Sequence, residues 1–307
     1  MQQIKATVLA DSTSAYTGVR AISYELEYPR FIHSEFMTHR QVSKNSASSR
    51  AIPTQKLIEQ VQDNPAMPVC WGKNQSGMQA KEELYGNDLD TTKEAWRYAA
   101  GNAASFARIL HGMNLHKQTT NRVLEPFQIM KVVCTATEWN NFFWLRDHAD
   151  AQPEIKVLAE KMLEAKNKSK TTTLFNGEWH LPYLFSYRKN RSGKLHYSFD
   201  KDTDNLICLD DAVMLSVSLC AQTSYRNSNS TVEKAKEIYS RLVESEPCHA
   251  SPTEHQLLSR DTSPARHDEL TKQGWTHLSF RDGMWWSGNI RGFVQLRQLI
   301  PNNAKYG

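Results

Sequence analysis

The feature that most constrains this chain is a polar stretch at residues 38–50, which lies between two predicted helices. Two arginines, one histidine, one asparagine and four serines fall within these thirteen residues. Guanidinium groups bind phosphate in a bidentate way, and hydroxyls and amides satisfy further acceptors, so such a loop can wrap an anionic planar ligand. A solvated, serine-rich connection with a helix cap is the alternative, and composition alone favours it. The choice therefore depends on whether other segments complete a site.

Charge and cysteine content exclude several classes of protein. The 37 basic and 33 acidic residues give a net charge of +4 without a block of like charges, so no nucleic-acid partner is expected. No apolar run approaches membrane-spanning length and the first residues do not begin a signal peptide, so we expect a cytoplasmic protein without a membrane partner. The five cysteines are scattered and include no Cys-x-x-Cys pair, which argues against a disulfide framework and a zinc ribbon.

Hydrophobic periodicity predicts a single α+β domain over residues 1–307, because strands and helices are segregated and do not strictly alternate. Predicted strands lie at residues 4–9, 22–28 and 129–135, the first ended by Asp11 and Ser12. Helical spacing predicts helices around 57–61 and at 92–111, 115–124, 138–146, 153–165, 209–220 and 232–243. The polar residues 166–206 predict an insertion or flexible connection, and residues 259–288 an irregular tail.

Three further polar segments could carry chemistry, although each has a structural explanation by itself. Arg146 could be a cation at the C-terminus of a helix. Arg122 could pair with Glu125 three residues later. His249 and His255 are six residues apart and do not share one helical face, so no metal site is predicted.

Taken together, these segments resemble the flavin-dependent thymidylate synthases. The signature loop of that family reads Arg-His-Arg, two residues, Ser, one residue, Asn-Glu, one residue, Ser, one residue, Arg-Tyr. This chain matches it at His39, Arg40, Ser43, Asn45, Ser48 and Arg50. Residues 122–126 resemble the Ala-Arg-x-x-Leu-Pro segment of the family, and residues 141–155 resemble its Asn-x-x-x-Leu-Arg…Ala-Gln-x-Glu-Ile run. Residues 224–225 and 249–255 resemble two further family segments, which in the common form precede the signature loop. The chain therefore looks circularly permuted, like the long members of the family found in bacteriophages.

The resemblance implies a mixed sheet flanked by helices and a specific reaction. Family members reduce FAD with NADPH, then transfer a one-carbon unit from methylenetetrahydrofolate to C5 of dUMP, and a hydride from the flavin completes dTMP. The protein supplies orientation and electrostatics, and the cofactor supplies the redox chemistry. A site shared between subunits, and hence a homotetramer, is also implied.

Residue roles carry over by position in the motifs. The resemblance implies catalytic roles for Arg146, His39 and Ser48, although no base or orienting group supports Ser48 as a nucleophile. The implied cofactor-binding residues are Thr38, His39, Arg40, Ser46, Asn141, Ser224, Ser251 and Glu254. The implied substrate-binding residues are Glu35, Arg40, Ser48, Arg50, Arg122 and Arg146.

Four departures from the family pattern leave the substrate open: Thr38, Ser46, Ala51 and Gln222 replace arginine, glutamate, tyrosine and arginine. One alternative is a flavin enzyme of the same fold that modifies another pyrimidine nucleotide, such as dCMP, or leaves a hydroxymethyl group. Another is a folate-only thymidylate synthase, for which Cys248 is the nearest candidate nucleophile. A third alternative, a nucleic-acid-binding module, would stack bases on tryptophans, namely Trp71, Trp96, Trp139, Trp285 and Trp286.

Overall fold

The computed structural model describes residues 3–188, 190, 193–200, 205–224, 231–262 and 267–305. Its strands are β1 Lys5–Ser14, β2 Arg20–Pro29, β3 Ser43–Ser46, β4 Ile129–Ala136, β5 Thr172–Leu174, β6 Trp179–His180, β7 Phe185–Tyr187, β8 His196–Ser198, β9 Leu206–Ile207, β10 Leu257–Leu258, β11 His277–Leu278, β12 Trp285–Ser287, β13 Ile290–Arg291 and β14 Val294–Gln295. Its α-helices are α1 His33–Met37, α2 Thr54–Asp63, α3 Gly86–Gly112, α4 Lys117–Thr120, α5 Asn140–Arg146, α6 Pro153–Lys168, α7 Leu209–Ala221, α8 Val232–Val243 and α9 His267–Lys272. Short 3-10 helices occur at Arg30–Ile32, Asn121–Phe127, Ser251–Glu254 and Leu296–Leu299. Among the described helices, none is long and apolar enough to cross a membrane.

A five-stranded mixed sheet with the order β3-β4-β2-β1-β5 organises the molecule. All its neighbouring strands are antiparallel except β1 and β5, which pair in parallel. Alternate residues of β2, from Ile22 to Tyr28, are fully buried in one hydrophobic cluster with residues of α5 and α6, such as Phe142 and Leu158. Burial of one such leucine contributes about 1.5–3 kcal/mol. The prediction of an α+β fold with a mixed sheet flanked by helices is therefore confirmed.

The second half of the chain forms another core beside this sheet. Leu215 and Leu219 of α7 pack in one cluster with Ala21 of β2, Leu257 of β10 and Phe293. A third cluster joins α2 and α3 through residues such as Ile58, Ala104 and Leu124. Segments distant in sequence thus meet on the sheet that carries the signature loop.

A buried chain of hydrogen bonds connects β1, β2 and β4 with two histidines. Ser23 Oγ lies 2.5 Å from Thr135 Oγ1 and 2.8 Å from His180 Nε2. His180 Nδ1 lies 2.9 Å from Ser12 Oγ, and His255 Nδ1 lies 2.9 Å from Thr135 Oγ1. Burial lowers the pKa of His180 to about 4 and that of His255 to about 3, so both imidazoles are neutral near neutral pH.

Most predicted elements are confirmed, but three are corrected. Strand β1 does not end at Asp11 and Ser12; it continues to Ser14, because Asp11 pairs with Arg20 at 2.5 Å and Ser12 bonds His180. The helix predicted at 115–124 consists of α4 and a 3-10 segment that includes Pro126. The tail predicted to be irregular contains α9, β11 and β12.

The segment predicted to be an insertion or flexible connection contains four short strands, β5 to β8, in its described part. β5 extends the main sheet beside β1. Lys189, Arg191, Ser192 and residues 201–204 of this segment lie outside the described residues. The proposal that this segment is an insertion in a single domain stays a prediction.

Replacement of Gly292 by alanine is expected to destabilise the fold. Gly292 has φ +70°, and a Cβ atom there would lie 2.7 Å from Val19 Cγ2 and 2.9 Å from Thr17 Oγ1. Left-handed backbone strain and overpacking together should lower the free energy of unfolding by about 3 kcal/mol, measured by urea denaturation. Gly18→Ala is the matched control, because Gly18 has φ +66° with nothing within 4 Å, and should lose only about 1 kcal/mol. Equal losses for the two variants would show that Gly292 is not closely packed.

Candidate active site

The polar stretch forms a turn followed by β3, an edge strand of the main sheet. α1 ends at Met37, and Thr38 Oγ1 donates to the carbonyl oxygen of Glu35 at 2.7 Å, which closes the helix. The chain turns over residues 39–42 and then pairs as β3 with β4, which places Asn45 opposite Val133. The stretch is therefore an ordered part of the sheet edge, and its exposed side chains include Arg40, Ser48 and Arg50.

Three predicted site residues meet at the end of α5. Arg146 Nε donates to His39 Nε2 at 2.9 Å, and Arg146 Nη1 donates to a carboxylate oxygen of Glu35. The imidazole of His39 packs edge-on against Phe142, with ring centroids 4.8 Å apart. Among the described residues, Nη2 of Arg146 has no hydrogen-bond partner, so the guanidinium is fixed on two sides and keeps donors for a ligand.

His39 is a neutral acceptor in this cluster. Burial, followed by the nearby charges of Arg146 and Lys44, lowers its pKa to about 4. Because Nε2 accepts a hydrogen bond from Arg146, the ring proton lies on Nδ1. The local positive charge therefore resides on Arg146 and not on the histidine.

A cavity of about 750 Å³ adjoins the cluster and is lined by Glu35, Arg146 and Gln152 together with the rings of Phe31 and Trp96. Other residues between 68 and 80 and between 149 and 154 complete its lining. An apolar wall with a few convergent polar groups is typical of a small-molecule site. Another cavity of about 720 Å³, between α8 and the C-terminal residues, includes Cys248 but none of the predicted catalytic residues.

A second group of predicted residues surrounds Glu125. One oxygen of this carboxylate accepts from Arg122 Nη1 at 2.8 Å and from Ser49 Oγ at 2.8 Å, and it lies 3.0 Å from Arg30 Nη2. Asn121 Nδ2 also donates to the carbonyl oxygen of Ser49 at 2.6 Å. These bonds hold the end of the signature loop beside Arg122 and confirm the predicted pairing of Arg122 with Glu125. A ligand phosphate would compete with that carboxylate for the arginine.

Segments from the second half of the chain reach the same loop. The backbone N–H of Ser48 donates to Ser224 Oγ at 2.7 Å, and Asn45 Nδ2 donates to the carbonyl oxygen of Cys220 at 3.4 Å. Gln295 Nε2 donates to the carbonyl oxygen of Glu254 at 3.0 Å, and Arg297 pairs with the carboxylate of Glu254. The structure thus brings Ser224 to the signature loop, and anchors Glu254 from the C-terminal segment.

The remaining predicted residues are not joined directly to these clusters. Asn141 is the second residue of α5, and Ser251 begins a 3-10 segment. Both are exposed, and within the described part of the chain no hydrogen bond links either to residues 38–50. Ser46 is half-buried and paired with Val132 in the sheet. The structure therefore places these residues without showing a role for them.

Four polar residues that the structure places around the site were not predicted as site residues. Arg30 binds Glu125, Lys44 binds the turn that carries His39, and Arg297 and Gln295 bind Glu254. The Gln/Arg-rich run at residues 291–297 was a visible signal for the last two. Arg30 and Lys44 are single charged residues in otherwise ordinary segments, so no pattern distinguishes them.

Comparisons with known proteins add an independent observation. The family model described as thymidylate synthase complementing protein (Thy1) matches residues 17–169. A comparison with curated proteins found no match. Solved structures similar to this chain include a UMP/dUMP methylase, PolB, from Streptomyces cacaoi, bound with 5-Br dUMP. The two sequences are 15% identical, the match covers 55% of this chain and 91% of that chain, and the TM-score is 0.44. Another is the flavin-dependent thymidylate synthase ThyX from Helicobacter pylori, complexed with FAD and dUMP; identity is 19%, coverage is 48% of this chain and 67% of that chain, and the TM-score is 0.34.

Proposed function

The chain belongs, through residues 17–169, to the thymidylate synthase complementing protein family, and we propose that it methylates dUMP to dTMP with a bound flavin. The observation that carries this proposal is the fixed guanidinium of Arg146, held by Glu35 and by neutral His39 at the wall of a cavity large enough for a nucleotide. No protein nucleophile is needed in this reaction, and the cavity that contains Cys248 is a separate one.

Arg146 is assigned to the uracil ring. Methylation at C5 requires that negative charge develop on the ring and its carbonyl oxygens as C5 attacks the one-carbon unit. A guanidinium that is already oriented by two partners stabilises such charge without reorganising. Because His39 is neutral, it does not compete for that charge, and it orients Arg146 through its Nε2.

The phosphate of the nucleotide is assigned to the end of the signature loop. Ser48 and Arg50 are exposed there, and Arg122 is held close by through Asn121, Ser49 and Glu125. Arginines and hydroxyls of this kind form charge-assisted hydrogen bonds with phosphate oxygens. We assign the nucleotide to a position between this cation group and Arg146.

The remaining polar residues fit a flavin dinucleotide. FAD carries a pyrophosphate, and Arg40 offers an exposed guanidinium on the turn next to His39. Ser224 lies against the signature loop, and Glu254 is anchored by Arg297 and Gln295. We assign Thr38, His39, Arg40, Ser46, Asn141, Ser224, Ser251 and Glu254 to flavin binding. Bound FAD would supply the hydride after reduction by NADPH, with methylenetetrahydrofolate as the one-carbon donor.

The order of the segments supports the proposal of a circular permutation. Ser224 and Glu254 lie late in the chain, yet the backbone of Ser48 bonds the hydroxyl of Ser224 and Gln295 joins Glu254 to Ser43, at the start of β3. A permuted chain can rebuild one site from segments in a new order, because permutation changes connectivity and not packing.

Exposed apolar residues on α3 support the proposal of a homotetramer. Tyr98, Phe106 and Ile109 of this 27-residue helix are 58–73% exposed and share one side by helical spacing, whereas the buried residues of the helix are alanines. Met113, which follows the last helical residue, is 75% exposed. Contiguous exposed apolar side chains mark interaction surfaces.

The departures at Thr38 and Ser46 keep another pyrimidine nucleotide as the second candidate substrate. Because a cytosine amino group is a donor where uracil has an acceptor carbonyl, the donors of Arg146 favour uracil. A nucleic-acid-binding module is less well supported, since none of the five tryptophans proposed for stacking is exposed.

An absorbance spectrum tests the flavin part of this proposal. We expect purified protein, or protein supplied with FAD and freed of excess, to show flavin absorbance that NADPH bleaches under anaerobic conditions. Flavin absorbance that survives NADPH would show that the reductant is different. Protein that retains no flavin after loading would contradict the proposed function.

A further inference from the structure

The turn that carries His39 and Arg40 is tied to the following strand by a lysine. Lys44 Nζ donates to the carbonyl oxygen of His39 at 2.6 Å and to that of Val42 at 2.9 Å. The carbonyl of His39 also accepts from the backbone N–H of Val42 at 3.2 Å. The turn is thus closed both by its own backbone and by an ammonium group.

Lys44 is not an ordinary surface lysine. It is half-buried, its register partner in β4 is the buried Cys134, and its ammonium lies 5.7 Å from the centroid of the Phe36 ring. A charged group so placed is tolerated only when hydrogen bonds compensate for lost water, and the two carbonyls provide them. Burial lowers the pKa of Lys44, and the nearby charge of Glu254 opposes that shift.

We propose that Lys44 is a positioning residue, whose ammonium fixes the His39–Val42 turn and thereby holds the imidazole of His39 against Arg146. The charged groups around His39 are Arg146, Glu35, which is paired with Arg146, and Lys44; Phe142 supplies the packing surface. Lys44 acts on Arg146 only through His39, so it touches neither substrate nor reacting atoms in this scheme. The predicted effect of Lys44 on activity rests on the proposed function, whereas its effect on the turn and on His39 does not.

The charge of Lys44 also contributes to keeping His39 neutral. It is one of the two cations that lower the pKa of this histidine, the other being Arg146. Removal of the lysine charge should therefore raise the pKa of His39, by less than the removal of the Arg146 charge would. A neutral side chain that only closed the turn would not lower the pKa of His39.

The test compares Lys44→Met with Lys131→Met, a control at a half-exposed lysine on the neighbouring strand β4. Methionine keeps the length of the side chain and removes the charge. We expect Lys44→Met to raise the pKa of His39 and to lower kcat/KM for dTMP formation about tenfold. The pKa is measured by NMR of histidine-labelled protein, in which the signal of His39 is assigned with His39→Gln. Lys131→Met should leave the pKa of His39 unchanged and should change kcat/KM by no more than about twofold.

Lys44→Arg separates charge from geometry, and it also serves if Lys44→Met folds poorly. It keeps the positive charge, so the pKa of His39 should stay near its original value, whereas kcat/KM reports how well the larger guanidinium fits the turn. The proposal is overturned if the pKa of His39 is the same in Lys44→Met and Lys131→Met, or if arginine does not restore it. Because the NMR measurement needs no substrate, it decides the role of Lys44 even if no dTMP is formed.

Discussion

Replacement of Arg146 by alanine is expected to lower kcat/KM for dTMP formation by about 100- to 1000-fold, the usual loss when a preorganised donor to developing charge is removed. The change removes the donor from the wall of the cavity and leaves the Glu35 carboxylate and His39 Nε2 without their partner. Steady-state kinetics with varied dUMP measure the effect. Absorbance of the bound flavin in the same samples shows whether the cofactor site is intact.

Arg146→Lys should recover little of this activity. The guanidinium donates through Nε to His39 and through Nη1 to Glu35 at the same time, and a single ammonium cannot reproduce that planar geometry. Arg241→Ala, at an exposed arginine of α8, is the control and should retain activity. Activity of Arg146→Ala within about twofold of the unsubstituted protein would remove Arg146 from the reaction.

The free energy of unfolding should fall as the pH is lowered from about 7 to 5, by about 2 kcal/mol for each of His180 and His255. Both histidines have a pKa near 6.5 when unfolded, and burial lowers it to about 4 and about 3 in the fold. Below pH 6.5 the unfolded chain therefore binds protons that the folded chain refuses, which favours unfolding. This loss is absent near pH 7 and is complete once the pH falls below the folded pKa values.

Urea denaturation at several pH values measures this dependence. His33 and His39 act in the same direction, since their pKa values are also lowered to about 4, so the slope of each variant must be compared with that of the parent. In His180→Gln and in His255→Gln, the free energy of unfolding should fall less steeply as the pH is lowered. In His148→Gln, at an exposed side chain, it should fall as steeply as in the parent. Equal slopes in all the variants would show that the buried histidines do not control acid stability.

The sequence predicted the parts of the fold that depend on periodic burial. The alternation of Ile22, Tyr24, Leu26 and Tyr28 identified β2, because one face of that strand is buried. The end of β1 was predicted wrongly because Asp11 and Ser12 are polar, and only the fold shows that their partners are Arg20 and His180. Polar residues buried with distant partners have no local signature.

The site was predictable to the extent that motif spacing preserves it. Arg146 lies 107 residues after His39 and 111 residues after Glu35 in the sequence, yet it bonds both. The resemblance had identified all three as site residues. Lys44 fell at a variable position of the motif, so its bonds to the turn were invisible in the sequence. The spacing of Arg122 and Glu125 suggested their ion pair, but nothing in the sequence indicated that Arg30 also binds Glu125.

The proposed reaction is tested most directly by mass spectrometry of the nucleotide product. FAD-loaded protein, NADPH and methylenetetrahydrofolate are incubated with dUMP, and in a parallel sample with dCMP. We predict that dUMP is converted to dTMP, that dCMP is left unchanged, and that omission of NADPH or methylenetetrahydrofolate abolishes the product. Conversion of dCMP in place of dUMP, or recovery of unchanged dUMP from protein that binds and reduces its flavin, would contradict the proposed reaction.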